Sequence, residues 1–383
     1  MFDSSLLNRR LAQGLLISLT ALLPFFATAQ TSEPAPAPDA KVQVDEIKTV
    51  PHAVIKNGVT HNFLIPEVMF QRDNELMNLL LQSESVEDDE KQYWFDIYPS
   101  MRAVQIERLY TILNVENARR AAWKTVLTLA KKAHALEKLG HLPEAFAAYS
   151  ELRDVLGRII ESRADEWISA DEWVSATMLH QGIIRRRQGQ FTEAIAFYDQ
   201  VEQRFAQHKD PAIRLHVAEA LGRKAFLLNE HLNNPAGALE ICETILRRYC
   251  ANQNYGDLFD DGCLDAKESS IEPLILLGRQ AEAIKNIKAL QKQHPKGYPY
   301  LPELSFLLWL IEPERHTTQD VLKAIRKNLS TRHEANWTFN AMRPFMEREP
   351  EPRKSQARCF ADFFEIQRDV GRLKSCLRAI SAS

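Results

Sequence analysis

RRRQGQFTEAIAFYDQV, residues 185–201, decides the fold. Arg185-Arg186-Arg187 closes one predicted helix, Gly189 turns the chain, and a second helix opens around Ala194. Gly at the end of a helix takes the left-handed cap conformation that other residues resist. A small residue at the crossing point lets two antiparallel helices approach closely. Four positions after Ala194, the larger Tyr198 fills the groove between them, while Phe191 plugs the turn.

Working outward, the same arrangement recurs. LEKLGHLPEAFAAYSEL (136–152) carries Gly140, Ala145 and Tyr149, with Leu142 in the plug position. NEHLNNPAGALEICETI (229–245) turns at Asn and carries Ala238 and Cys242. ILLGRQAEAIKNIKAL (275–290) carries Gly278, Ala283 and Ile287. The alanines are spaced 49, 44 and 45 residues apart. On the first helix of each hairpin, Ala133, Gly182 and Ala225 occupy the matching small position. Farther on, VGRLKSCLRAI places Cys376 in the same phase, and the unit between, near Gln319–Leu329, is degenerate. One such hairpin cannot bury its apolar face alone, so hairpins must stack.

These segments resemble the tetratricopeptide repeat family. The match is clearest at Gly189, Phe191, Ala194 and Tyr198. The family's usual unit is about 34 residues; the intervals here run longer, which resembles a long-helix variant common in bacterial proteins. The resemblance covers about residues 118–290 well and 291–383 loosely. It implies an all-α fold, an α-α superhelix or solenoid of antiparallel helix hairpins. It also implies a concave face, lined by first helices, that binds a protein or peptide partner. Carried over residue by residue, the groove positions are Ala130, His134, Glu137 and Lys138 in the first unit. In the second they are Leu179, Ile183, Arg186 and Arg187; in the third, Gly222, Phe226, Asn229 and Glu230. Arg186 and Arg187 offer planar forks of donors suited to a carboxylate or an acidic peptide.

The first 29 residues read as a signal peptide. Arg9 and Arg10 precede an apolar run from Leu15 to Phe26, and Ala27-Thr28-Ala29 forms a small-residue cleavage site. The run is shorter than the ~20 residues a membrane span needs. A cut after Ala29 predicts a periplasmic or secreted chain without an integral membrane segment. Residues 30–45 form a Pro/Ala-rich linker, and 46–66 a candidate β-hairpin turning at Asn57-Gly58, a pair tolerant of positive φ. Residues 67–117 form an N-terminal helical region and 118–383 the repeats. The aromatic cluster Tyr93, Trp94, Phe95 and Tyr98 is expected to pack against the first repeat.

Composition narrows the function. With 48 Lys+Arg against 51 Asp+Glu, the chain lacks the basic excess of a nucleic-acid binder. Only 13 of 383 residues are Gly, too few for an all-β protein of many tight turns. The motifs HExxH, GxSxG, GxGxxG and the Walker loop are missing, so no catalytic residue is assigned. His134, His180, His216 and His231 are spread over predicted helices without ligand pairing. Of five cysteines, Cys250 and Cys263 flank a polar loop and form the expected disulfide. Cys242 falls on an apolar helix face, as a buried small hydrophobe does. The stretch 257–268 resembles a calcium loop, with Asp257, Asp261, Asp265 and Glu268 at ligand places, but Phe259 stands where an oxygen is required. The leading reading is an exported scaffold or adaptor without a cofactor, active in envelope assembly or secretion. A calcium-responsive module and an envelope-polymer hydrolase are its alternatives. The sequence leaves the oligomeric state open.

Overall fold

The computed structural model describes residues 47–56, 58–83, 86–161, 170–250, 260–293, 301–328, 338–367 and 369–382. The expected signal peptide and linker lie outside these residues. The chain divides into two compact units, 1–173 and 174–383. Among the described residues no helix is long and apolar enough to cross a membrane.

The first unit opens with an antiparallel hairpin of β1 (Thr49–Lys56) and β2 (Val59–Pro66), in register from Thr49 opposite Pro66 to Lys56 opposite Val59. Gly58 takes φ +79°, the left-handed value that a tight turn requires. Two strands alone are marginal in water, and this pair gains support from helices. Phe63 and Ile65 point inward from β2. They join a core with α1 (Glu67–Arg72), α2 (Asn74–Gln82), α3 (Asp88–Ile97) and the start of α4 (Ala103–Lys138). On the outer edge of β2, the Gln92 side-chain amide acts as a neighbouring strand would. It accepts from Leu64 N at 2.9 Å and donates to Leu64 O at 3.0 Å.

Trp94, Phe95 and Tyr98 are buried, but in this hairpin-centred core and not against the first repeat, while Tyr93 is 45% exposed. The rings face β2 and α2 because α3 lies beneath the hairpin; Phe63 meets Phe95 edge-on at 5.8 Å. The boundary expected at 117/118 is no break in the chain, since α4 runs unbroken for 36 residues. Its first half serves the N-terminal core through Leu109 and Leu113. Its second half is the first helix of a repeat, packed against α5 (Leu142–Glu161).

The second unit takes in most of α6 (Ala170–Arg187) and then α7 (Phe191–Phe205), α8 (Pro211–Glu230) and α9 (Pro235–Ile245). Asp210 caps α8 by accepting from Ala212 N at 2.9 Å, and Pro211 fits the first turn, where no N–H partner is needed. Asn234 caps α9 in the same way through Gly237 N at 3.0 Å. Then come α10 (Asp260–Ser269), α11 (Ile271–Leu276), α12 (Gln280–Gln293), α13 (Leu301–Ile311), α14 (Thr318–Asn328), α15 (Arg343–Met346), α16 (Arg353–Asp362) and α17 (Val370–Ala382). A large apolar core joins α11–α14 to the C-terminal helices, with Phe306, Trp309, Phe339, Phe360 and Phe364 at its centre.

The repeat geometry is visible bond by bond. Gly140, Gly189 and Gly278 take φ +80°, +77° and +76°, and the third turn uses Asn233 at φ +48°. The residue after each Gly donates to the carbonyl five positions earlier: His141 to Leu136, Gln190 to Arg185 and Arg279 to Leu274. This is the Schellman closure of a helix. Ala145, Ala194, Ala238 and Ala283 are all buried, and so are Tyr149, Tyr198, Cys242 and Ile287. In the second repeat the approach is closest. A Cβ on Gly182 would stand 2.4 Å from Tyr198 Cε1, a separation that real Cβ contacts do not show. The architecture is thus all-α, of adjacent antiparallel helix pairs, with a short N-terminal hairpin.

Two C-terminal readings need correction. Cys376 is exposed on α17 and bonded to Cys359 on α16, so it is no crossing residue; Leu373 and Leu377 are the buried positions of that helix. Of the stretch 257–268, expected as a loop, the described residues 260–268 belong to α10.

Candidate functional site on the first helices of the repeats

Glu137, Arg186 and Glu230 hold one position in three successive repeats. Each stands twelve residues before the groove-filling residue: Tyr149, Tyr198 and Cys242. In the fourth repeat Ile275 stands twelve before Ile287, and both are buried. The position faces the interior of its own hairpin closely enough to meet the polar end of a long side chain.

In the first repeat that contact is made. The Tyr149 hydroxyl donates to Glu137 Oε2 at 3.0 Å, with both residues buried. Burial, and then the carboxylate beside it, hold the Tyr149 phenol well above its ordinary range. Glu137 is therefore occupied inside the protein. Of its expected groove companions, His134 is half-buried and Lys138 exposed.

The third repeat occupies its acid differently. Glu230 Oε1 accepts from Asn229 Nδ2 at 2.7 Å, and Oε2 accepts from Thr338 Oγ1 at 2.9 Å and Asn340 N at 3.1 Å. Asn229 Nδ2 also donates to Glu272 Oε2 at 3.2 Å. Asn229, Glu230 and Glu272 are all buried. These groove positions thus hold a later segment of their own chain in place. Phe226 remains half-buried beside them, edge-on to His231 at 5.9 Å.

In the second repeat the position carries Arg186 and finds no such partner. Arg186 Nε and the Tyr198 hydroxyl are both buried, and neither has a hydrogen-bond partner among the described residues. Burial first, and then the charge of Arg223, lowers the Arg186 pKa. Burial pushes the Tyr198 phenol up to about 12, although Arg223 and Arg186 act the other way. Arg223 is itself bonded to Glu219, with Nη2–Oε1 at 2.6 Å. His231 stacks flat on Phe191 at 4.0 Å, and its pKa is lowered by burial, with Arg186 adding to the effect against Glu230. Ile183 is half-buried and Arg187 exposed on the same helix. The neighbouring Arg185 is held by Gln190 at 2.7 Å and Glu193 at 3.2 Å.

Of the candidate calcium residues, Asp257 lies outside the described residues, and Asp261, Asp265 and Glu268 sit on α10. A helix fans successive side chains around its axis, whereas a calcium loop must converge them on one point. Among the described residues no group of three or more His, Cys, Asp or Glu could hold a metal ion. Cys263, also on α10, is joined to Cys250 at a Cα separation of 5.7 Å. Cys242 carries an unpaired, buried thiol whose pKa burial raises to about 12, so it is inert packing.

The family model described as Tetratricopeptide repeat matches residues 176–208. That span holds the end of α6, the Gly189 turn and all of α7, the hairpin whose close crossing was described above. No curated protein and no solved structure matches the chain. The protein is a tetratricopeptide-repeat-like helical repeat protein. Repeats of this kind usually mediate protein binding, and the family is typically a non-catalytic scaffold.

Proposed function

We propose that this protein is an exported scaffold or adaptor that holds a protein or peptide partner against the first helices of its repeats, in envelope assembly or secretion. The observation that carries the proposal is the second repeat. Its hairpin is the one the family model matches, and its first helix carries Ile183 and Arg186 half-buried at groove positions, the Arg186 Nε without a hydrogen-bond partner among the described residues. Export is supported by the signal-like first 29 residues. Two disulfides are the second support, because such bonds persist in oxidising compartments. Catalysis forms no part of this reading.

The test is affinity capture from an envelope extract of the source cell with the exported chain, followed by the same capture with Ile183→Glu and Phe226→Ala. A specific partner held by the wild type and lost from the variants is the expected result. Equal recovery by all three would remove the groove from the account.

A further inference from the structure

Helix α17 is held by a covalent bond as well as by packing. Its apolar stripe, Val370, Leu373, Leu377 and Ile380, joins the large core of the second unit. Within that stripe only Leu373 and Leu377 are buried, and seven of the eleven residues from 370 to 380 are exposed. A helix of 13 residues is marginal in water by itself. This one packs chiefly on α16 and the turn that follows it. Cys376, exposed on α17, ties it to the buried Cys359 of α16 at a Cα separation of 6.1 Å. The other disulfide is placed differently. Cys250 and Cys263 are both half-buried, and α10, which carries Cys263, packs against α8, α9, α11 and α12.

We infer that the Cys359–Cys376 bond is a thiol–disulfide exchange site, attacked at Cys376 by a dithiol reductant, and that its opening releases α17. Exposed disulfides are the labile ones, and Cys376 offers an incoming thiolate the open side of this bond. The helix carries Arg372, Lys374 and Arg378 and no acidic residue, which favours the approach of an anion. Asp369 offsets Arg372 at 4.0 Å, while Lys374 and Arg378 lie on either side of Cys376 in the chain. The attacking thiolate bonds to Cys376 Sγ, the bond between the two sulfurs breaks, and Cys359 leaves as a thiolate that takes a proton from water. The reductant's second thiolate then bonds to its own first sulfur and expels Cys376, which is protonated in turn. The chain gains two electrons and two protons, and the reductant becomes a disulfide. Left with one apolar stripe, α17 comes off α16 and bares the surfaces that met. The inference is independent of the scaffold reading.

The test treats the full exported chain with dithiothreitol in native buffer, quenches by alkylation at intervals and reads both bonds by mass. Cys359–Cys376 should open roughly tenfold faster than Cys250–Cys263, or more. Once it is open, amide hydrogen exchange in α17 should rise roughly tenfold while that of α11–α14 is unchanged. Cys376→Ser should show the same fast exchange in α17 without reductant. Equal opening rates, or α17 exchange that neither reduction nor Cys376→Ser moves, overturn the inference. Loss of protection across the whole second unit in Cys376→Ser also overturns it, because the bond is then a staple of the core.

Discussion

The α4–α5 and α6–α7 hairpins share a frame and differ in what that frame is used for. Both close on a left-handed Gly, both cross at a buried Ala, and both sink a tyrosine between their helices. The first completes its polar contact internally, from Tyr149 to Glu137. The second places Arg186 at the same position and leaves the tyrosine without an acceptor among the described residues. Apolar packing fixes the shape of a repeat, so one charged position can change sign without changing the fold.

The frame should break hardest where it is tightest. Gly182→Leu drives a side chain into the Tyr198 ring, while Ala133→Leu in the first repeat replaces an existing Cβ. The glycine change should cost about 3 kcal/mol, near the upper end of the overpacking range, and the alanine change less. Urea unfolding of both variants checks the order; equal losses would mean that the two crossings are alike. Next in size, Glu137→Leu should cost about 2 kcal/mol by stranding the Tyr149 hydroxyl, and the double change with Tyr149→Phe should recover most of it. If the double variant is no better than the single one, the hydrogen bond is not what the acid supplies.

A smaller effect should separate the units by pH. Burial holds the His216 pKa below its ordinary value, with Ser175 Oγ 2.8 Å from its Nδ1. The unfolded chain then binds a proton that the folded chain refuses, so stability falls as pH drops below about 6.5. Replacing His216 with Asn should flatten that slope between pH 6.5 and 5 in thermal melts. An unchanged slope would assign the acid sensitivity to other groups.

Much of the frame was legible in the chain because its signals are local. The Gly turns, the alanines and the residues four positions later announce each hairpin within twenty residues. The Cys250–Cys263 bond joins positions 13 apart, across a stretch short enough to suggest the pair. What escaped depends on distant segments. Asn229 and Glu230 look like groove residues until Thr338 and Asn340 are brought onto Glu230, more than a hundred residues away in the chain. Cys376 matched the repeat phase, and only its exposed place beside Cys359 reveals a disulfide. The acidic run 257–268 suggested a loop by composition, yet residues 260–269 are helical. The orphaned pair at Arg186 and Tyr198 could have been found from sequence by aligning the position twelve before each tyrosine, where Glu gives way to Arg.

The most direct measurement is the thermal stability of Arg186→Glu, alone and combined with Tyr198→Phe. Rebuilding the first repeat's contact in the second should raise stability by about 1 kcal/mol, the net worth of one hydrogen bond, and only while the Tyr198 hydroxyl is present. A loss of stability, or the same gain in both backgrounds, would contradict the claim that this position lacks an acceptor.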